Sequence, residues 1–282
     1  MQAEITRRQY DQVIAQHYDR DVQDVLSRSQ EQAFAQLAAH EILGARESGA
    51  AVLDVGLGTG KFLTRLIDAT SSQVVPFGLD LSAKMVEIAQ RRIPDLRAAV
   101  DDAANLRIHF GAQRFRVICT HFVTGFVPIE RLAPQILEKL EPGGCWSFVG
   151  GTQAAFPELQ RRARSWNGGF LPGARSLKVD HVVCNPADHE RAAEEIAASG
   201  FEILAASDFQ PAVRFENFDE FMDFAYRGGW LTPFVERLGL HRAGKLKRTL
   251  LNCVFFPVAD HHDVSVILAR KPRQAVKQAP RS

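Results

Sequence analysis

The chain is poor in the features that would mark a secreted, metal-clustered or polyanion-binding protein. Its 282 residues include four cysteines, Cys119, Cys145, Cys184 and Cys253, far apart and with no C-x-x-C pair. That spacing argues against a disulfide framework and a zinc cluster, and predicts packed thiols in a reducing compartment. No charge of one sign dominates: Lys+Arg number 34 and Asp+Glu 33, a formal +1. No global field therefore draws the protein onto phosphate backbones or anionic lipid. No uncharged apolar run reaches the roughly 18 residues needed to cross a bilayer. The N-terminal MQAEITRRQYDQ also lacks the apolar stretch of a signal peptide. Internal repeats and low-complexity tracts are missing too. These absences predict a cytoplasmic protein without nucleic-acid or membrane partners, monomeric or homodimeric.

What remains is a globular composition, 46% hydrophobic and 24% charged, on a chain long enough for a full buried core. Residues 1–46 carry apolar side chains at three-to-four spacing, which predicts two amphipathic helices broken near Tyr18–Asp21. From residue 50 the texture changes. Short apolar runs (50–56, 74–80, 96–100, 115–120, 145–150) alternate with helical patterns (61–69, 82–92, 129–140), and Glu141-Pro142-Gly143-Gly144 reads as a turn. Continuous apolar strands separated by helices signal a parallel sheet covered on both faces, an α/β fold. Beyond residue 151 the rhythm loosens. A helix is expected after 151, a Gly/Pro-containing loop over about 165–186, and a helix over 187–199 stopped by Gly200. Strands at 201–207 and 264–270 then bracket an insertion, within which Asn217 and Glu220 are spaced as a capping box before FDEFMDFAY. The tail, 273–282, reads as frayed.

The chemistry is concentrated in Val52-Leu53-Asp54-Val55-Gly56-Leu57-Gly58-Thr59-Gly60. A buried strand carrying an acid opens through three alternating glycines onto a helix. Such a turn lets backbone approach a ligand closely, and the helix N-terminus favours an anionic group. A second strand ends in Asp80, with Leu81 beside it, where a carboxylate can accept both hydroxyls of a ribose. The dinucleotide fingerprint G-x-G-x-x-G is not matched, because the third glycine comes one residue early and Lys61 takes its place. Asp54, two residues before Gly56, can face the ammonium of an amino-acid moiety. Ribose and amino acid together point to S-adenosylmethionine.

On these residues the sequence resembles the class I S-adenosylmethionine-dependent methyltransferases over about 10–150, and more loosely over 186–270. The resemblance implies a Rossmann-like, doubly wound, mostly parallel seven-stranded sheet with an antiparallel last strand, spanning 47–272. It implies a helical lid at 1–46 and a substrate-lid insertion at about 211–260. S-adenosyl-L-methionine would be the cofactor and S-adenosyl-L-homocysteine the product. By the family pattern, Asp102 with Ala103 meets the adenine, Asp101 being the alternative. Thr120, His121 and Phe122 follow the fourth strand and line the methionine end. A lid Tyr-Asp pair is similar to Tyr18-Asp19, with Tyr10-Asp11 as the second candidate. Gly56, Gly58 and Gly60 form the cofactor turn with Asp54.

Methyl transfer from a sulfonium depends mainly on alignment of the nucleophile, worth roughly 7–11 kcal/mol, while a general base typically adds about 10²–10⁴-fold. His121 is the candidate base, with pocket lining as its alternative role; His17 and His181 are further candidates. His261-His262-Asp263 is a poor chelate and reads as a solvated turn, so no metal is expected. Phe215, Phe218, Phe221, Phe224, Tyr226, Trp230 and Phe234 crowd the insertion. Steps of three wrap aromatics around a helix, so some must face a cleft, and Phe122, Phe221, Tyr226 and Trp230 are the expected substrate contacts. The leading reading is a small-molecule methyltransferase of specialised metabolism, acting on O or N of an apolar or aromatic acceptor. C-methylation of an aromatic or prenyl-like carbon is a close variant. A protein or RNA methyltransferase, a non-methylating adenosylmethionine binder and a nicotinamide oxidoreductase are the other readings.

Overall fold

The computed structural model describes residues 2–42, 44, 49–70, 74–165 and 183–273. The expected loop at 165–186 therefore falls largely outside the described residues, and His181 and the tail beyond residue 273 wholly so.

Helix α1 (Gln2–Gln9) leads through a π-turn (Tyr10–Ile14) and a 3-10 turn (Tyr18–Arg20) to α2 (Val25–Ala39). The alternation begins at β1 (Ala51–Val55) and runs through α3 (Lys61–Thr70), β2 (Val75–Asp80), α4 (Ala83–Arg92) and β3 (Arg97–Val100). It continues with β4 (Phe115–His121), α5 (Ile129–Lys139) and β5 (Leu140–Gly151). After α6 (Pro157–Ser165), α7 (His189–Ala198) and β6 (Glu202–Phe209) comes the insertion. It contains β7 (Ala212–Phe215), α8 (Phe218–Met222), α9 (Thr232–Arg237), α10 (Lys245–Phe255) and β8 (Val258–His261), and β9 (Val264–Arg270) closes the fold.

The main sheet has seven strands in the order β3-β2-β1-β4-β5-β9-β6. β1 to β5 pair in parallel, and β9 runs antiparallel to both of its neighbours. Every residue of β1 is buried, as expected for a strand covered on both faces. One core cluster packs Leu53, Trp146, Phe148 and Ile267 beneath α5 and α7, while the other packs Val52, Leu63, Cys119 and Val266 beneath α2, α3 and α4. Among the described residues no helix is long and apolar enough to cross a membrane, and no three metal-ligating side chains cluster.

Two local expectations change. The turn at Glu141–Gly144 lies inside β5: Leu140 pairs with Phe115 and Cys145 with Val117, so the intervening residues form a bulge with Gly143 at φ 80°. The helix expected over FDEFMDFAY is divided, α8 passing into a π-turn over Asp223–Arg227. The wider turn lets Phe224 stack on Trp230, with ring centroids 5.6 Å apart. At its start Asn217 accepts from the Asp219 and Glu220 amides at 3.0 Å. Glu220 reaches back to the Glu216 amide at 2.8 Å, one residue earlier than a standard capping box.

The ribbon β7–β8, with Phe215 opposite Val258, was not legible in the sequence. It ties the two ends of the insertion together and gives it an aromatic core of its own, built on Phe215, Phe218, Phe224 and Phe256.

Candidate active site

The strand order reverses between β1 and β4. At such a switch point the loops after neighbouring strands part to opposite faces and leave a crevice beyond the strand ends. A cavity of about 550 Å³ opens there, lined by Gly56, Gly58, Asp80, Leu81, Asp102 and Ala103, and by His121 and Phe122 at the end of β4. Gly56 and Gly58 have φ of 78° and 54°, a region that L side chains rarely enter. A Cβ on Gly56 would lie 2.5 Å from Val123 Cγ2, and one on Gly58 would lie 3.2 Å from the Tyr18 ring. Gly60 turns the chain for a different reason. Its Cβ would press on Ala89 at 3.1 Å and on Ile93, so it packs α4 against the turn and lies away from the cavity.

Three acids, Asp80, Asp101 and Asp102, line the cavity, and Asp54 stands close behind it. The Asp80 carboxylate accepts from the Gly58 amide at 2.7 Å and the Ser82 amide at 2.8 Å, and burial outweighs these bonds to push its carboxyl up to about 6. Each oxygen keeps a lone pair for a further donor. Asp54 lies on the far side of the glycine turn, in a narrow cleft shared with Tyr18, Gly56 and His121. Burial, and then the Asp80 charge, push its carboxyl up to about 8. Asp102 uses Oδ1 to cap the Ala104 amide at 2.9 Å. Asp101 bonds the Asp102 amide and Asn105 through Oδ1 and His109 through Oδ2, so Asp102 is the better placed of the two for an adenine amino group.

The N-terminal segment is fastened over this crevice by both Tyr-Asp pairs. Asp19 accepts from Thr59 Oγ1 at 2.5 Å and from Arg92 at 2.6 Å, while Asp11 accepts from Ser82 Oγ at 2.5 Å and the Lys84 amide at 3.2 Å. Tyr10 and Tyr18 both line the cavity. Burial raises both phenols far above their ordinary range, so each stays protonated.

Residues 52–144 match the family model described as a methyltransferase domain. The chain carries a class I S-adenosylmethionine-dependent methyltransferase domain. No curated protein matches the methyltransferase in sequence. Among solved structures it is similar to a candidate methyltransferase from Bacillus halodurans C-125, at 15% identity and a TM-score of 0.54, over 84% of this chain and 99% of that one. It is equally similar to the YcgJ protein of Bacillus subtilis, with 16% identity, a TM-score of 0.54, and coverage of 85% and 99%. A candidate sarcosine dimethylglycine methyltransferase from Galdieria sulphuraria aligns with a TM-score of 0.52 and 10% identity, over 87% and 86% of the two chains. At these identities the likeness concerns the fold.

The residues fit the cofactor. Two glycines leave the turn open, Asp80 keeps acceptor capacity, and among the described residues no donor reaches the buried Asp54 carboxylate, which suits a cationic ammonium.

Several expectations are corrected. Thr120 does not line the cavity: it is buried beside the core, where its Oγ1 accepts from the Trp146 indole at 2.8 Å. His121 does line it, but burial drives its imidazole down to about 3, so it is a poor base at neutral pH. Its Nε2 lies 3.3 Å from Ser147 Oγ and its ring meets Phe62 edge-on. Tyr226 stacks on His241 at 5.6 Å and borders neither this cavity nor the apolar one beside it. His262 and Asp263 are buried, not solvated. Asp263 accepts from Thr152 and Gln210, while His262 packs among aromatic rings. Alternation along the chain could not reveal this, because β7–β8 pairing decides which of these residues turn inward.

Proposed function

We propose that the methyltransferase acts on an oxygen or nitrogen atom of an apolar or aromatic small molecule. The observation that supports this is a second, apolar chamber of about 190 Å³ beside the cofactor crevice, walled by Phe156, Leu159, Phe218, Phe221, Trp230 and Leu251. Val183 borders both spaces. Phe122 stands between them, its ring edge-on to Trp230 at 4.7 Å, with its backbone at φ 59°. A bulky residue in that region costs of order 1–3 kcal/mol and persists only where its surroundings hold it; here the Phe122 amide donates to the Val149 carbonyl at 2.7 Å.

When bound, S-adenosylmethionine supplies a methyl group on a sulfonium, whose displacement by a lone pair releases a neutral thioether. The chain's residues do the positioning. Asp54, Asp80 and Asp102 hold the cofactor's polar groups, the aromatic walls hold the acceptor's frame, and Phe122 sets the angle between them. The N-terminal helices and the insertion exclude water. Burial keeps both His121 and His262 neutral, so alignment carries catalysis, and an acceptor that attacks through a neutral lone pair releases its proton to solvent after the transfer.

The test is transfer of a radiolabelled methyl group from S-adenosylmethionine to 2-naphthol, 2-naphthoic acid, 2-naphthylamine and dodecanoic acid, compared with Leu240→Trp, which fills the apolar chamber. Labelling of at least one small acceptor, with its KM raised about tenfold by the substitution and S-adenosylhomocysteine affinity unchanged, supports the proposal. Labelling confined to added tRNA or protein overturns it.

A further inference from the structure

His262 is a buried polar group set among the rings of the apolar chamber. It is 5% exposed and lines that chamber. Three aromatic neighbours fix its imidazole edge-on: Phe156 at 4.6 Å, Trp230 at 5.2 Å and Phe122 at 5.9 Å between centroids. Below it the chain has a glycine. A Cβ on Gly151 would sit 2.7 Å from His262 Cε1, so a side chain there would displace the ring.

The tautomer follows from one contact. His262 Nδ1 lies 3.2 Å from the Asp263 carbonyl oxygen. A carbonyl only accepts, so Nδ1 carries the proton and Nε2 presents a bare lone pair. Among the described residues no donor bonds Nε2. Elsewhere in the same chamber Thr152 Oγ1 is engaged by Asp263 and Gln160 Nε2 by the Gln153 and Ala155 carbonyls. A ligand's donor can fill that lone pair, a gain that a frame without a donor forgoes.

We infer that His262 is the specificity-determining residue for the acceptor: its Nε2 selects a molecule with a hydroxyl or N–H donor on an otherwise apolar frame, and turns that donor toward Phe122 and the cofactor crevice. The inference rests on the acceptor chamber proposed above. His262 acts as a positioning residue, holding the acceptor's donor atom by one hydrogen bond and taking no proton. A frame lacking the donor enters the same walls but leaves Nε2 unpaired, and is disfavoured for that reason.

The experiment titrates the protein saturated with S-adenosylhomocysteine with 2-naphthol and with naphthalene, which share a ring frame and differ by one donor. The wild type is expected to prefer 2-naphthol by about tenfold, in line with one recovered bond. His262→Phe should erase the preference while leaving naphthalene affinity within about twofold, and His262→Gln, which keeps an acceptor, should restore part of it. In the wild type the 15N resonance of His262 Nε2 should move with 2-naphthol and stay still with naphthalene, a response that a purely structural histidine would not give. Equal affinity for the two probes in the wild type, or a preference surviving in His262→Phe, overturns the inference and leaves the chamber standing. Failure of both probes to bind overturns the chamber with it, and the cofactor reading is checked separately by the S-adenosylhomocysteine titration.

Discussion

Asp80 Oδ2 accepts a 2.7 Å hydrogen bond from the Gly58 amide, so the acid at the end of the second strand holds the glycine turn at the end of the first. One carboxylate thus shapes the turn and faces the cavity. Asp80→Ala should weaken S-adenosylhomocysteine binding at least about tenfold, since hydrogen bonds to a charged group are worth roughly 1.5–3 kcal/mol each. Its effect on melting should be small, because the lost Gly58 and Ser82 bonds are offset by relief of a buried charge. Isothermal titration and a thermal melt check both; unchanged affinity would show that the ribose does not meet Asp80.

Asp54 makes the ligand-free protein sensitive to pH. Its folded value of about 8 stands above the ordinary 3.8, and that of Asp80, about 6, does so too. The folded state therefore holds protons that the unfolded chain has released, and stability falls as pH rises from about 4 to about 8. Near pH 7 one such proton is worth about 1.4 kcal/mol per pH unit, roughly 2–4 °C of melting temperature. Melts at pH 6 and pH 7 should show that loss, and Asp54→Asn should flatten it. S-adenosylmethionine, which brings positive charge, should bind more tightly as pH rises through the same window.

Gly56→Ala and Gly111→Ala separate crowding from backbone strain. Both positions have positive φ, 78° and 52°, but only Gly56 meets an atom, Val123 Cγ2 at 2.5 Å, while Gly111 has nothing within 4 Å. Gly111→Ala should cost about 1 kcal/mol and leave cofactor affinity alone. Gly56→Ala should cost about 2–4 kcal/mol and abolish measurable binding. Equal behaviour of the two variants would remove the turn from the cofactor site.

Asp19 ties the N-terminal segment to the glycine turn, accepting from Thr59 and Arg92. Asp19→Ala should loosen the segment over the turn, speeding cofactor release about three- to tenfold with little change in association, as most affinity changes appear in dissociation. Stopped-flow measurement of S-adenosylhomocysteine release decides it, and an unchanged off-rate would make the pair purely structural.

His121 should leave no mark on the pH–rate profile. With its imidazole held at about 3 by burial, kcat should show no inflection between pH 6 and 7, and His121→Asn should keep kcat within about tenfold of the wild type. A histidine-like inflection that vanishes in the variant would restore it as the base.

How much was legible depended on whether the signal was local. Buried parallel strands read as apolar runs, and Gly200 marked the end of α7, so the main sheet was visible element by element. Asp80, Leu81, Asp102 and Ala103 were legible because strand ends place them at one crevice whatever lies around them. The place of Thr120 and the role of His121, pocket lining and not base, were not legible for the opposite reason: the neighbours that decide their chemistry, Trp146 for one and Phe62 with Ser147 for the other, lie on other elements. The insertion betrayed its aromatic excess but not its β7–β8 ribbon, since four-residue strands carry little periodicity of their own.

The sequence by itself determined the alternating α/β order, the open glycine turn and the acids at the strand ends, because backbone conformation and strand periodicity are written in neighbouring residues. The tertiary structure alone decided which groups are ionised and which walls meet. Burial, a property of the whole packed chain, raises Asp54 and lowers His121. The long-range pairing of residues 212–215 with 258–261 carries His262 from an apparent surface turn into the apolar chamber.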